Sequence, residues 1–124
     1  MFDFAGTRPN NLGVTDGKLA SCPGTPNCVN SQSDNPQSKI ASLPPVSIEQ
    51  IAEVVNSMER TTIVEQNDTY LYAEFKSKLM GYVDDVEFYL DRAANVVQVR
   101  SASRLGKSDL GVNRKRIEEI RAKL

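Results

Sequence analysis

Apolar side chains recur at helical spacing between residues 47 and 59, then at every second position through most of 61–104. The first pattern predicts a helix. Ile48, Ile51, Ala52, Val55 and Met58 share its buried face, and Pro44-Pro45 stops any earlier helix. Ser47 is placed to cap the start, with Gln50 completing a capping box, and Arg60 brings a cation to the far end. The second pattern predicts four strands, at 61–66, 69–77, 83–90 and 96–104. Asn67-Asp68 suits a two-residue hairpin turn, Met80-Gly81 marks a loop, and 91–95 forms another turn. A last helix, from 112 or 113 to 124, turns Ile117, Ile120 and Leu124 to one side. The expected fold class is α+β: a four-stranded antiparallel meander sheet with two helices packed on one face.

Strand parity locates the candidate chemistry. Pairing core positions sets Leu90 opposite Val97 and Phe88 opposite Val99, and the same register sets Val86 opposite Ser101 and Asp84 opposite Ser103. Asp84, Ser101 and Ser103 therefore share the core parity, where an ionised carboxylate needs a partner. On the other face Glu87 meets Arg100, an expected cross-strand ion pair. Asp84 and Asp85 point to opposite faces, which argues against a paired-carboxylate acid/base site. Ser101 or Ser103 as a nucleophile has no evident base other than Lys107 or Lys115. With Asn113 as N-cap, Arg114, Lys115 and Arg116 fill the first helical turn, against the dipole. Something negative is then expected nearby: Asp84, Asp85, Asp109, or an anion bound at the helix start, with Gly106 and Gly111 allowing close approach. A start capped by Ser108 or Asp109 would ease that conflict. Asp84, Arg100, Arg104 and Arg114 are expected either to lock the last helix to the sheet or to hold a carboxylate, phosphate or sulfate.

Residues 1–46 contain all six prolines and read as an irregular arm of the same single domain whose α+β core is 47–124. The expected tethers are Phe2, Phe4, Leu12, Val29 and a cysteine loop, CPGTPNC. Cys22 and Cys28 form either a disulfide or a pair of buried thiols. Their spacing excludes a C-x-x-C redox motif. The opening MFDFAGTRPNNLGV lacks a signal-peptide core, so any targeting segment is expected to be absent from this chain. No apolar run of roughly 18 residues predicts a membrane span.

Composition narrows the functions. Fifteen basic against sixteen acidic residues give a net charge of −1, which disfavours a nucleic-acid partner. There is no histidine, so imidazole-based triads are excluded. No catalytic residue, metal or cofactor is expected.

Three motifs in order, CPGTPNCVNSQ, MGYVDDVEFYLD and VRSASRLGKSDLGVNRKRIEEIR, resemble the family catalogued as domain of unknown function 1499, over about Arg8 to Arg121. By motif, the positions carried over are Cys22, Cys28, Asp84, Asp85, Arg100, Ser101, Ser103, Arg104, Asp109, Gly111, Asn113 and Arg114. Members occur in bacteria, cyanobacteria included, and in plastids. The resemblance implies a disulfide and export to the periplasm or thylakoid lumen. It implies no reaction.

Two functions compete. The preferred one is a non-enzymatic interaction module that binds a membrane-complex protein partner through the open sheet face and the arm. It requires an exposed patch containing Tyr70, Tyr72 or Tyr89 and no deep pocket. The alternative is a binder of, or enzyme acting on, a small anion at Asp84, Asp85, Arg100, Ser101, Ser103, Arg104, Asp109, Asn113 and Arg114. It requires Arg100, Arg104 and Arg114 to converge on a cleft.

Overall fold

In the computed structural model, which describes residues 4–78, 80–106 and 109–124, a short strand β1 (Cys28–Asn30) precedes helix α1 (Ile48–Ser57). Four strands follow, β2 (Thr61–Gln66), β3 (Tyr70–Lys76), β4 (Val83–Asp91) and β5 (Val96–Ser103), then helix α2 (Val112–Lys123). Phe2, Lys107 and Ser108, named above as a tether, a base and a cap, lie outside the described residues.

The sheet has five strands, not four, in the order β1-β5-β4-β3-β2, all antiparallel. The extra strand comes from the arm. β1 pairs Cys28 with Ala102, Val29 with Ser101 and Asn30 with Arg100. Three residues inside a proline-rich loop are too few to show alternation, and the pairing satisfies β5 backbone groups that the meander leaves open. Beyond β1, Leu43 continues the same edge by exchanging hydrogen bonds with Val97, 2.8 and 3.0 Å. The β4–β5 register is the one expected from parity, with Asp84 opposite Ser103 and Glu87 opposite Arg100.

The two faces of the sheet are covered differently. Leu71, Ala73, Phe75, Val86, Phe88, Val97 and Val99 meet Ile48, Ile51 and Val55 of α1 and Ile117 and Ile120 of α2. Ser47 caps α1 as expected, its hydroxyl accepting from Gln50 N at 3.1 Å. α2 starts at Val112, within the expected bounds, but Asn113 is not its cap. Gly111, at φ 81°, is its N-cap, and Asn113 lies inside the first turn with no exposure. Asp109 still serves the helix start, accepting from Gly111 N at 2.8 Å and Asn113 N at 3.0 Å.

The other face is not open. The arm crosses it, and Leu12, Val14 and Leu19 pack on Tyr70, Tyr72 and Tyr89. Tyr70 is 6% and Tyr72 3% exposed under the chain's own arm, which leaves only the half-buried Tyr89 of the tyrosine patch required of a partner module. The Cys22 and Cys28 sulfurs lie 2.06 Å apart, at disulfide distance, which ties the arm to edge strand β1.

Candidate functional site

Charged and polar side chains gather at one end of the sheet in two clusters, one on each face. Adjacent residues of β4 begin both. Asp84 faces the helices and Asp85 faces the arm, as alternation requires.

On the helix face the organiser is Asn113. Its amide nitrogen donates to Asp109 Oδ2 at 2.6 Å, Ser103 Oγ at 2.9 Å and the Asn27 carbonyl at 3.2 Å. Its amide oxygen accepts from Ser101 Oγ at 2.6 Å and Arg116 Nη1 at 2.8 Å. Arg116 also pairs with Asp84, Nη2 to Oδ2 at 2.8 Å, and lies over the Phe75 ring at 4.9 Å. The negative partner expected for the basic helix start is thus present, but the cation is Arg116. Arg114 points elsewhere and donates to the carbonyls of Lys39 at 2.9 Å and Gln37 at 3.1 Å, so it clamps the arm. Burial pushes the Asp109 carboxyl up, but hydrogen bonds from Asn113 and Gly111 outweigh it and hold the group below the usual carboxylate range.

On the arm face the register sets Glu74 directly opposite Asp85, a like-charge pair that needs a cation. Arg104 supplies it. Its Nε and Nη2 meet both oxygens of Asp85 at 2.9 and 2.8 Å, and Nη2 reaches Glu74 Oε2 at 2.6 Å. Arg8 from the arm adds a second cation on Glu74 at 2.7 Å. Burial pushes the Glu74 carboxyl up, yet hydrogen bonds from Arg8 and Arg104 prevail and lower it. The Tyr72 hydroxyl donates to Asp85 Oδ1. Hydrogen bonds to Asp85 and Glu74 raise the Arg104 guanidinium further above its already high value, against its partial burial.

Glu87 and Arg100 face each other as expected but do not form a direct ion pair. Glu87, with no exposure, accepts at Oε2 from Tyr70 OH at 2.6 Å and Gly13 N at 2.7 Å. Arg100, 5% exposed, donates from Nη2 to the Ser21 carbonyl at 3.2 Å. Glu87 Oε1 and Arg100 Nε are both buried without a hydrogen-bond partner among the described residues. Burial raises the Glu87 carboxyl above the usual carboxylate range, against hydrogen bonds from Tyr70 and Gly13. Burial also lowers the Arg100 guanidinium, against the attraction of Glu87 and Asp85.

Between the arm and this face lies a cavity of about 360 Å³, with Thr7, Asn11, Ser21, Cys22, Asp85, Arg100, Ser103 and Arg104 among its lining residues. Arg100 and Arg104 converge on it. Arg114 does not, so the three-arginine cleft is corrected to two, and the nine expected site residues divide between the faces. The sequence patterns left Asn27, Glu74, Arg8 and Gly13 outside the expected site and marked Arg116 only as one of three basic residues at the helix start, with Asp84 among the expected partners. Two signals pointed to some of them. Asn113, Arg116, Ile117 and Ile120 form one helical stripe, and Glu74 shares the parity of Tyr70 and Tyr72.

A family model described as protein of unknown function (DUF1499) matches residues 18–124. No curated protein and no solved structure matches the chain.

Proposed function

This chain belongs to the DUF1499 family, whose description names no activity, so we propose a function from the geometry of the arm-face cavity: it binds a small anion, a carboxylate or phosphate, through Arg100. The observation that carries this reading is the guanidinium itself. It lines a cavity large enough for a small molecule, and among the described residues it makes a single hydrogen bond to the protein, from Nη2 to the Ser21 carbonyl. Arg104 beside it is committed to Asp85 and Glu74 and so preserves the site's shape. Charge supports the same reading. Arg8, Arg100 and Arg104 balance Glu74, Asp85 and Glu87 when all are ionised, and protonation of buried Glu87 leaves one positive charge for the ligand. The cysteine sulfurs at disulfide distance support an oxidising compartment, the periplasm or thylakoid lumen.

The test is thermal unfolding with millimolar phosphate, sulfate, malonate and succinate. At a hundredfold excess over Kd the expected rise is about 10 °C. Arg100→Met abolishes it and Arg114→Ala retains it. The reading fails if no anion raises the Tm of the folded wild type, or if Arg100→Met responds equally.

A further inference from the structure

The Ser21 carbonyl, which accepts from Arg100, stands next to Cys22 in the chain, and Cys22 and Pro23 join Arg100 in lining the arm-face cavity. That wall is not held by packing. Ser21, Pro23, Gly24 and Pro26 are exposed, and no residue of 21–26 belongs to either hydrophobic cluster. The two ends of the segment are anchored. Upstream, the Ala20 carbonyl accepts from Asn30 Nδ2 at 2.8 Å, and downstream the Asn27 carbonyl accepts from Ser103 N at 3.0 Å. Between those anchors the segment meets the sheet through Arg100 and through the disulfide from Cys22 to Cys28 of β1.

The two cysteines differ in access. Cys28 is 1% exposed, whereas Cys22 is half-buried and lines both this cavity and a neighbouring one of about 330 Å³. An external thiolate therefore meets Cys22 first. It bonds to Cys22 Sγ, the S–S bond breaks, and Cys28 leaves as a thiolate that takes a proton. A second thiol of the same reductant then displaces Cys22, so a dithiol is oxidised to its disulfide and both cysteines become thiols. The main core contains no residue of this segment, so the fold survives. The wall carrying Ser21, Cys22 and Pro23 has then lost its covalent tie, and an anion at Arg100 must order it on binding.

We propose that the Cys22–Cys28 disulfide is a redox switch on the anion site. Closed, it holds the cavity wall against Arg100; opened by a dithiol, it releases that wall and weakens anion binding. The inference rests on the anion reading of this cavity and adds its regulation.

Inorganic phosphate and malonate are titrated by amide NMR into the whole protein, oxidised and after treatment with dithiothreitol, an uncharged dithiol that does not compete for Arg100. The amides of β5 and α2 report that the fold persists. Reduction is expected to weaken binding about tenfold, and Cys22→Ser/Cys28→Ser to bind at the weak level with or without dithiothreitol. By reciprocity, saturating phosphate should raise the ratio of reduced to oxidised dithiothreitol needed for half-reduction about tenfold in wild type, and not in Arg100→Met. Equal affinity in the two folded states overturns the switch and leaves the anion site standing. No binding to the oxidised protein overturns both. Loss of the whole fold on reduction overturns the switch as well, because the freed unit would then be the domain and not the wall.

Discussion

The two faces at this end of the sheet solve the same problem with different completeness. Both begin from a buried aspartate on β4 and both recruit an arginine from outside that strand. On the helix face, Asn113 joins Ser101, Ser103, Asp109 and Arg116 into one network, and every partner belongs to the chain. On the arm face, Arg104 is as fully committed, but Glu87 Oε1 and Arg100 Nε are left over. The difference lies in what covers each face. A helix delivers side chains at fixed spacing, whereas the arm delivers mainly backbone groups: Gly13 N, the Ser21 carbonyl and the Ala5 carbonyl. Backbone can satisfy one edge of a guanidinium and leave another without an acceptor. That surplus is what separates the arm face from the helix face.

The sharpest way to break the comparison is to remove each arm-face arginine in turn. Arg104→Met leaves Asp85, 2% exposed, without its cation and opposite Glu74, which Arg8 alone then holds, and is expected to cost about 3–5 kcal/mol. Arg100→Met removes a guanidinium that is only partly used, and Glu87 can take a proton in response. About 1 kcal/mol is expected. Urea unfolding of both variants decides it. Equal losses would mean that Arg100 is as structural as Arg104.

On the helix face Asn113→Ala should cost about 2–3 kcal/mol, because it strips partners from Ser101, Ser103, Asp109 and Arg116 together. Additivity separates the faces further. Asn113→Ala and Arg104→Met should sum to within about 0.5 kcal/mol if the clusters are independent across the sheet. A larger deviation would show that strand β4 couples them.

How much of this was legible in the residues differs between the faces too. The β4–β5 register followed from alternation alone, because Phe88, Leu90, Val97 and Val99 admit one pairing that buries them all. That placed Asp84 by Ser103 and separated it from Asp85. The helix-face cation was misassigned by two residues, from Arg114 to Arg116, because the helix start was read from Asn113 as a cap. Asn113 is a buried hub instead, and a buried asparagine has the same local pattern as a cap. The arm was illegible for a stronger reason. Its contacts with the sheet are single backbone groups and scattered apolar residues, Leu12, Val14 and Leu19, with no period to read. Its close approach also depends on Gly6, at φ 74°, where an added Cβ would lie 3.1 Å from Arg104 Cβ.

The cysteine pair tests how far the arm depends on its tether. Closing a short loop of this separation is worth about 2 kcal/mol. The Cys22→Ser/Cys28→Ser variant should lose that amount. It should also exchange the Gly13 amide faster, since Gly13 reaches Glu87 from the tethered segment. If Gly13 protection is unchanged, the arm is held by Leu12, Val14, Leu19 and Arg8 without help from the sulfurs.

The smallest effects are in pH dependence, where the carboxylates on the arm face have opposite signs. Glu74 sits below its ordinary value in the folded protein. Its contribution is complete above about pH 4.3 and is lost as pH falls through the lowered folded value. Glu87 sits above its ordinary value. Its folded form holds the proton more tightly than the unfolded chain, so its contribution is complete below about pH 4.3 and declines as pH rises through the raised value. Glu74→Gln should therefore flatten the loss of stability on the acid side, and Glu87→Gln the decline as pH rises from about 4.3 toward neutral. Urea midpoints collected across that span read both slopes. A Glu87→Gln profile parallel to wild type would mean that folding does not favour the neutral form of Glu87. The spare positive charge invoked for an anion at Arg100 would then have to come from the ligand's own proton.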